Sequence, residues 1–219
     1  MLNQAFECDD VPPEAMDELW ATGWRHFGSH FFRYSHTIET DEWKQITPLR
    51  IRLSQFSLSS SQRRVMRRNA DLEWEIETAG FRSDTVRLFD LHKQRFKDGA
   101  PDSLADFLSP EPGHMPCLCH EIRVLTKGNL LAASFLDAGK NAASGIYAVF
   151  DPRHQRRSLG IFTMLLEIQW CIDSGRAFYY PGYATQEPGL YDYKKQFRGL
   201  EYLDWSDGQW KSLAPCPSA

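Results

Sequence analysis

The sequence contains no long apolar run and no targeting signal. No uninterrupted apolar stretch in its 219 residues approaches the roughly 20 residues that a helix needs to span a bilayer. The first ten residues, MLNQAFECDD, combine neither a basic segment nor an apolar segment of the kind that directs secretion. These absences predict a cytoplasmic protein without a membrane partner, and a hydrophobic content of 42% predicts a sizeable core.

Cysteine is also scarce. The chain has five cysteines, an odd number at scattered positions, which predicts reduced thiols rather than a disulfide framework. The string Cys117-Leu-Cys119-His120 invites interpretation as part of a metal site. A strand would place both thiols on one sheet face, but no second ligand pair follows nearby in the sequence. The sequence therefore predicts no metal centre.

An excess of positive charge is missing as well. The net charge of −4 argues against a protein that coats nucleic acid through bulk charge. Two local basic clusters nevertheless stand out: six arginines and no acid lie between Arg50 and Ala70, and Arg153-His-Gln-Arg-Arg157 follows much later. Two basic clusters on an acidic chain indicate a localised anionic ligand.

The first basic cluster coincides with a predicted helix. Ser60 or Ser61 is expected to cap a helix that continues through QRRVMRRNADL. Its arginines recur at i, i+1, i+4 and i+5 and so share one broad face. That face is interpreted either as a phosphate- or carboxylate-binding surface or as a solvated helix face. The arginines concerned are Arg63, Arg64, Arg67 and Arg68.

The coarse pattern predicts two parts. Before residue 97, a helix from Pro12 to about Thr22 precedes two strand-like segments, HFFRYSHT and PLRIRLSQF. A segment rich in proline, glycine and acids, from Asp98 to Pro116, is the expected boundary. The predicted parts are therefore an N-terminal α+β subdomain, residues 1–97, and a C-terminal domain, residues 117–219.

The C-terminal part has clearer signals. CHEIRVLT and LLAASFLDA, joined by Lys127-Gly-Asn129, predict a hairpin with a Gly-Asn turn, and Trp205 to Trp210 predicts a second turn. Between them, the strand GIYAVFD, a helix from Ser158 or Leu159 to Asp173, and the strand AFYYPGY predict a βαβ unit, with one apolar face of the helix formed by Ile161, Leu165, Ile168 and Ile172. The start of such a helix offers free N–H groups to an anion.

The loop before this helix is similar to a known motif. In GNAT acyltransferases this loop reads approximately Arg/Gln-x-x-Gly-x-Gly/Ala and binds the pyrophosphate of coenzyme A. Arg157 and Gly160 match the first two fixed positions, whereas Phe162 replaces the small third residue. Bulk at Phe162 is expected to crowd a pyrophosphate, which argues against an acyl-coenzyme A donor.

A longer set of motifs resembles one family over nearly the whole chain. YAVFDPRHQRRSLGIFTMLLEIQWCIDSG, then FYYPGY, then YDYKKQF resembles the C-terminal domain of arginyl- and leucyl-tRNA–protein transferases. LWATGWRHFGSHFFRY, PLRIRLSQF and SSSQRRVMRRNADL resemble the bacterial leucyltransferases, so the resemblance runs from about Glu18 to Trp210. It implies an α+β chain with a GNAT-like acyltransferase fold in the C-terminal part and a small N-terminal α+β subdomain.

The chain also departs from the family pattern. The family's usual Cys-x-x-Cys is missing from the segment between His36 and Thr47, which makes a thiolate-bound cluster there unexpected. Ala184 and Thr185 replace larger residues after Tyr183, and Gly199 replaces a proline. These changes suggest a reshaped pocket on a retained scaffold.

The resemblance implies transfer of leucine or arginine from an aminoacyl-tRNA, as co-substrate without another cofactor, to the N-terminal Asp or Glu of a protein or peptide. Three alternatives stay open from the residues: an acyl-coenzyme A N-acyltransferase, a non-catalytic module that binds N-terminal residues or RNA, and a transferase with a small-molecule acceptor.

The same resemblance implies site residues. Tyr183, Tyr193 and Lys194 are expected at the reaction centre, although strand tyrosines are often core residues. A second group is expected to bind tRNA or the acidic acceptor, because arginines and helix N-termini bind anions. That group comprises Arg63, Arg64, Arg67, Arg68, Asn69, Arg156, Arg157, Ser158, Leu159 and Gly160.

Overall fold

The computed structural model describes residues 1–39, 42–96, 99–189 and 191–213. Within these ranges there are four α-helices: Pro13–Ala21 (α1), Ser60–Arg68 (α2), Ser83–Lys93 (α3) and Leu159–Asp173 (α4). The strands are Asn3–Glu7 (β1), Arg25–Phe27 (β2), His30–Tyr34 (β3), His36–Glu39 (β4), Glu42–Arg52 (β5), Glu73–Thr78 (β6), Cys119–Thr126 (β7), Asn129–Ala138 (β8), Ala142–Phe150 (β9), Phe178–Thr185 (β10), Leu200–Asp204 (β11) and Gln209–Ser212 (β12). Short 3-10 helices cover Leu53–Gln55, Leu104–Asp106, Pro152–Arg157 and Asp192–Gln196.

Most strands join one large mixed sheet. Its order is β12-β11-β5-β10-β9-β8-β7-β6, and β4 pairs with β5. Strands β5 and β6, which precede residue 97, therefore lie in the same sheet as the strands that follow residue 117. The predicted division into residues 1–97 and 117–219 stays a prediction, and Lys97 and Asp98 lie outside the described residues.

A smaller sheet, with the order β1-β3-β2, is formed by the N-terminal segment. It packs with α1 on a cluster that includes Trp20, Phe31, Cys117 and Tyr180. Because Cys117 and Tyr180 belong to the large-sheet part of the chain, this cluster fixes the small sheet against it. The predicted helix after Pro12 and the strand HFFRY are confirmed.

The predicted hairpins and the βαβ unit are confirmed. β7 and β8 pair antiparallel, β11 and β12 close the second hairpin, and β9 and β10 run parallel on either side of α4 in sequence. The first turn differs in detail, since the positive φ angles fall on Lys127 and Gly128 while Asn129 already begins β8. The turn is thus Lys-Gly, with glycine supplying one of its two left-handed positions.

Helix α4 is buried more widely than its apolar pattern predicts. Leu165 and Ile168 are buried as expected, whereas Ile172 is 40% exposed. Leu159, Phe162 and Leu166 form a second buried face against β7 and β8. The helix is covered on two sides because α2 also packs against it.

The cap of α2 is Ser59, one residue before Ser60 and two residues before Ser61, the two predicted positions. Ser59 accepts a hydrogen bond from Gln62 N–H, and Gln62 Oε1 accepts one from Ser59 N–H. Neither Ser60 nor Ser61 can form this reciprocal capping box, because the glutamine must stand three residues after the cap.

Cys8, Cys117, Cys119 and Cys171 are free thiols, as predicted. Cys216 lies outside the described residues. Among the helices in the described ranges, none combines the length and apolar character that crossing a membrane requires.

Candidate active site

The large sheet opens between β9 and β10. These parallel strands pair only from Phe178 opposite Ala142 to Tyr180 opposite Ser144. Beyond that point β9 has a register shift against β8, and β10 has one against β5. Bulges bend the strands that contain them. The two strands therefore diverge toward their C-terminal ends and leave a cleft, called here the β9–β10 cleft.

Arg25 from β2 lies in this cleft. Its Nη2 donates to Gly145 O at 2.5 Å, and its Nη1 donates to the Ser144 hydroxyl. Gly145 directly follows the last paired residue of β9, so the guanidinium binds a carbonyl at the point where the strands part. Burial lowers the pKa of Arg25, although nearby acidic groups partly oppose this effect.

Lys194 approaches the cleft from the 3-10 helix Asp192–Gln196. Its Nζ donates to Tyr183 O at 3.2 Å. A Cβ placed on Gly182 would lie 3.3 Å from Lys194 Nζ and 3.6 Å from Arg25 Nη2, so the two cations flank the same glycine. Enclosure of the ammonium and the charge of Arg25 lower the pKa of Lys194 to about 7. Lys194 can therefore both accept and donate a proton near neutral pH.

Helix α4 places a carboxyl group next to this cleft. Glu167 is 3% exposed and accepts a hydrogen bond from the Tyr179 hydroxyl. Burial raises the pKa of Glu167 to about 7, although the bond from Tyr179 and the charge of Arg25 act in the opposite direction. A side chain at Gly145 would meet the Tyr179 hydroxyl at 2.6 Å and Glu167 Oε2 at 2.9 Å. The glycine thus leaves the space that this pair occupies.

The cleft holds positive charge without a direct counter-ion. Within residues 1–39, 42–96, 99–189 and 191–213, neither Arg25 nor Lys194 forms an ion pair with a carboxylate. Two buried carboxyls lie near Arg25 without pairing with it directly: Asp137, which pairs with His26, and Glu167, which is held neutral over part of the neutral range by its raised pKa. Enclosed charges of one sign are costly unless something pairs with them. The arrangement therefore favours an anionic group in the cleft.

Two of the predicted reaction-centre residues have different surroundings. Tyr183 donates from its hydroxyl to Gly23 O at 2.5 Å, and its ring packs perpendicular to Tyr34. This bond ties β10 to the N-terminal segment. Tyr193 is 38% exposed, and partial burial of its phenol raises the pKa of Tyr193 to about 12. The catalytic roles of Tyr183, Tyr193 and Lys194 stay predictions.

The two basic clusters come together at the start of α4. An open groove of about 610 Å³ is lined by Arg68, Gln155, Arg156, Arg157 and Ser158. Asn69 is buried behind the groove and does not line it, and its Nδ2 donates to Arg157 O at 2.9 Å. The groove with the exposed face of α2 is called here the basic face.

The arginines of the basic face differ in how they are held. Arg157 forms a bidentate pair with Asp71, at 2.9 Å for each contact, and this pair lowers the pKa of Asp71. Arg63 donates to Leu58 O at 2.6 Å, and Arg68 donates to Arg156 O. In the described part of the chain the side chains of Arg64, Arg67 and Arg156 are exposed and have no hydrogen-bond or carboxylate partner. Those three are the cations most available to a ligand.

Ser158, Leu159 and Gly160, the residues predicted to bind an anion at the start of α4, contribute mainly backbone groups to this region. Ser158 has a left-handed φ of 54° that turns the chain from the 3-10 helix into α4. Leu159 is buried, and Gly160 lies against the Phe150 ring. Ser158 N–H donates to Gln155 O at 3.1 Å, whereas the first N–H groups of the helix, on Leu159 and Gly160, have no intrahelical partner and can bind an anion. Their role in binding stays a prediction.

The expected crowding by Phe162 is wrong. Its side chain is 3% exposed and packs with Leu72, Ile122 and Val124 in the core instead of lining the groove. The helical turn from Gly160 to Phe162 directs this ring inward. Phe162 therefore gives no steric argument against a pyrophosphate.

Sequence reasoning missed Arg25 and Glu167. Arg25 stands in a short aromatic strand with no local sign of function, and only the three-dimensional divergence of β9 and β10 reveals it. Glu167 did give a signal, since it is a single carboxylate within the apolar string MLLEIQW. A lone acid on the buried side of a helix indicates either a partner or a function.

Solved structures of low sequence identity share this fold. The C-terminal domain assigned to a lysylphosphatidylglycerol synthetase from Agrobacterium fabrum is 16% identical with a TM-score of 0.54, covering 74% of this chain and 60% of that one. FemX is 11% identical with a TM-score of 0.50, covering 80% of this chain and 61% of that one. These likenesses confirm the predicted GNAT-like α+β fold.

Sequence comparison identifies relatives that align along most of the chain. An aspartate/glutamate leucyltransferase from Marinobacter nauticus is 29% identical over 212 residues, which cover 93% of this chain and 84% of the relative. One from Pseudomonas putida strain W619 is 30% identical over 204 residues, covering 88% and 83%. Residues 85–204 match the family described as arginine-tRNA-protein transferase, C terminus. The chain belongs to this family of aminoacyl-tRNA–protein transferases and is, as the sequence predicted, an aminoacyltransferase.

Proposed function

We propose that this protein transfers leucine from leucyl-tRNA to the free α-amine of a protein or peptide that begins with aspartate or glutamate. The relatives are aspartate/glutamate leucyltransferases, which supports the proposed donor and acceptor. Aminoacyl-tRNA is then the co-substrate, and the acidic N-terminus is the second partner. The reaction belongs in the cytoplasm, where tRNA is charged.

The observation that carries the proposal is that the β9–β10 cleft brings together the buried guanidinium of Arg25 and the amine of Lys194, whose pKa is about 7. The donor ester is already activated, so the enzyme must position the amine, stabilise the oxyanion and move one proton. Arg25 is suited to the oxyanion because it is a buried guanidinium fixed by hydrogen bonds to Ser144 and Gly145. Lys194, with a pKa of about 7, is suited to the proton.

The proposed step balances without another reactant. The acceptor nitrogen forms a bond to the ester carbonyl carbon, and the bond between that carbon and the ribose oxygen breaks. Neutral Lys194 takes the proton that the nitrogen loses and gives it to the departing ribose oxygen. Lys194 returns to its neutral form at the end of the step.

The basic face is assigned to the nucleic acid. Arg64, Arg67 and Arg156 are exposed cations beside the N-terminus of α4, a combination that suits backbone phosphates near the acceptor end of tRNA. Gln62 of α2 donates to Gln196 O at 3.4 Å, which links this helix to the 3-10 helix of Lys194. The arginines of α2 are also candidates for the acidic acceptor, because arginine binds carboxylates as well as phosphates.

A transfer assay tests the function. Purified protein is mixed with tRNA charged with labelled leucine or arginine and with peptides that begin with Asp, Glu, Arg, Lys or Ala, and products are read by mass. Leucine is expected on the Asp and Glu peptides only. N-acetylated Asp and Glu peptides are the matched controls, since they keep the side chain but lack the amine.

Other outcomes would contradict the proposal in distinct ways. Transfer of arginine instead of leucine would show that the donor is arginyl-tRNA. Transfer from acetyl-coenzyme A in a parallel reaction would support the acyl-coenzyme A alternative. Binding of tRNA without transfer to any peptide would support a binding module or a different acceptor.

A further inference from the structure

The residue after Arg25 belongs to a different buried group. Successive side chains of a strand point to opposite faces, so His26 points away from the cleft. Its Nε2 lies 2.6 Å from Asp137 Oδ2. The candidate ligand atoms of His26, Cys117 and Asp137 all lie within 4.8 Å of one another. Three elements that are far apart in the sequence therefore meet at one point.

Cys119 places a second thiol beside this group: its Sγ, which donates to His120 O at 3.6 Å, is not among the atoms that lie within 4.8 Å of one another, so it must turn to join them. It stands directly opposite Asp137 in the ladder of β7 and β8, and opposite residues of an antiparallel pair share a sheet face. All four side chains are buried, with exposures between 2% and 4%. The nearby ligand pair that the sequence did not reveal around Cys117 and Cys119 is thus supplied by His26 and Asp137.

We infer that His26, Cys117, Cys119 and Asp137 form a zinc-binding site. Two thiolates, an imidazole and a carboxylate are ligands that zinc accepts, and four of them complete its tetrahedral shell. In such a shell the ligand atoms lie about 3.5 Å apart, so His26 Nε2 and Asp137 Oδ2 must separate by about 1 Å. The ion displaces the proton between them, and both thiols release theirs to solvent.

The second nitrogen of His26 is already fixed in the manner of a metal-binding histidine. Nδ1 lies 2.8 Å from Gly28 O, an atom that can only accept, so Nδ1 carries the proton. In the neutral ring this leaves the lone pair of Nε2 directed at Asp137 and Cys117. A backbone carbonyl on the far nitrogen is the usual support of a histidine ligand.

The location gives the site a structural role. β2 belongs to the small sheet, whereas β7 and β8 belong to the large one. A metal bound by His26 and by residues of β7 and β8 would join the two sheets next to Arg25. The metal would fix β2, the strand that places Arg25 in the β9–β10 cleft. The site itself is buried, so solvent would not reach the metal.

Cobalt substitution tests the site independently of activity. Wild-type protein is treated with a chelator, exchanged into metal-free buffer and titrated with Co²⁺, which takes the place of zinc and gives a visible spectrum. We expect saturation at about one ion per chain, with thiolate-to-cobalt charge-transfer bands and strong tetrahedral d–d bands. Excess Zn²⁺ should abolish the bands and raise the unfolding midpoint by about 5 °C or more.

Variants assign the ligands. Cys117→Ser and Cys119→Ser should each weaken the charge-transfer bands, and Asp137→Asn should lower the affinity about 10- to 100-fold. Cys171→Ser is the matched control, because Cys171 is also buried but belongs to α4 and packs in a different cluster. It should leave the spectrum unchanged. Folded wild-type protein that takes up no Co²⁺ or Zn²⁺ would overturn the inference, as would equal spectra for wild type, Cys117→Ser and Cys119→Ser.

Discussion

Arg25 and Lys194 hold their charges inside the β9–β10 cleft, whereas Arg64, Arg67 and Arg156 expose theirs on the basic face. Enclosing a cation costs free energy that a solvated cation does not lose. Enclosed groups with altered pKa values are therefore concentrated at reaction centres. Exposed cations are better suited to holding a polyanion through several weak contacts.

The two regions should consequently fail in different ways. In the cleft, one group acts on the reacting atoms, so a single substitution can remove most of the rate. On the basic face, each arginine adds a small and salt-dependent increment to tRNA binding. This contrast between large, local effects and small, additive effects can be tested residue by residue.

The largest effect is expected at Lys194. Lys194→Ala should lower kcat/KM by about 10²- to 10⁴-fold, because the proposed proton transfer loses its carrier. Lys194→Arg should be as inactive, since arginine stays protonated and cannot act as a base. In the wild type, kcat/KM should rise as the pH passes about 7, where Lys194 becomes neutral. Transfer rates at several pH values, with tRNA binding measured separately, provide the check.

The neighbouring lysine is the matched control for that substitution. Lys195 forms an ion pair with Asp192 at 2.7 Å on the same 3-10 helix. Lys195→Ala should keep activity within about threefold of the wild type, since exposed pairs contribute little. Substantial activity in Lys194→Arg would argue that Lys194 only positions the chain, and the comparison between the two regions would fail.

The sequence predicted the surface region better than the cleft. The apolar period of α4, the Ser-Leu-Gly start and the arginine clusters are local patterns, and the structure joins the helix start and the two arginine clusters as one face. Arg25 has no such pattern, because its position depends on bulges in β9 and β10 and on the packing of a separate small sheet. Likewise, His26 and Asp137 approach Cys117 only through the tertiary fold.

The next largest effect is expected at the buried Glu167, where the free energy of unfolding should depend on pH. Burial raises the pKa of Glu167 from its ordinary value of 4.5 to about 7. The folded state therefore favours the protonated acid, so its stabilising contribution is complete below about pH 4.5 and is lost as the pH rises through 7. The loss is on the order of 3 kcal/mol. Glu167→Gln, which stays neutral, should match the wild type near pH 4.5 and be more stable near pH 8 by urea unfolding.

Another buried glutamate provides the control with the opposite sign. Glu201 accepts hydrogen bonds from Arg50 at 2.6 Å and from Arg52 at 2.9 Å. Glu201→Gln should therefore be less stable than the wild type at pH 8, because it leaves the buried guanidinium of Arg50 without its counter-ion. A stability difference between Glu167→Gln and the wild type that does not change with pH would contradict the raised pKa.

The smallest effects are expected on the basic face, where two adjacent arginines can be separated. Arg156→Glu should weaken tRNA binding several-fold and reduce the salt dependence by about one phosphate contact, without a change in stability, because its side chain is exposed and has no partner in the described ranges. Arg157→Glu should also lower the unfolding midpoint, since Arg157 pairs with Asp71 and supports the contact between α2 and the loop.

Binding measured over a range of salt concentrations, together with thermal unfolding, separates these two roles. If Arg156 and Arg157 bind phosphates equally, both substitutions should reduce the salt dependence to the same extent. If Asp71 holds Arg157 away from the ligand, Arg157→Glu should lower stability but leave most of the salt dependence in place. An unchanged affinity of Arg156→Glu for tRNA would show that the groove does not bind tRNA, because Arg156 is the groove arginine whose side chain is most available to a phosphate.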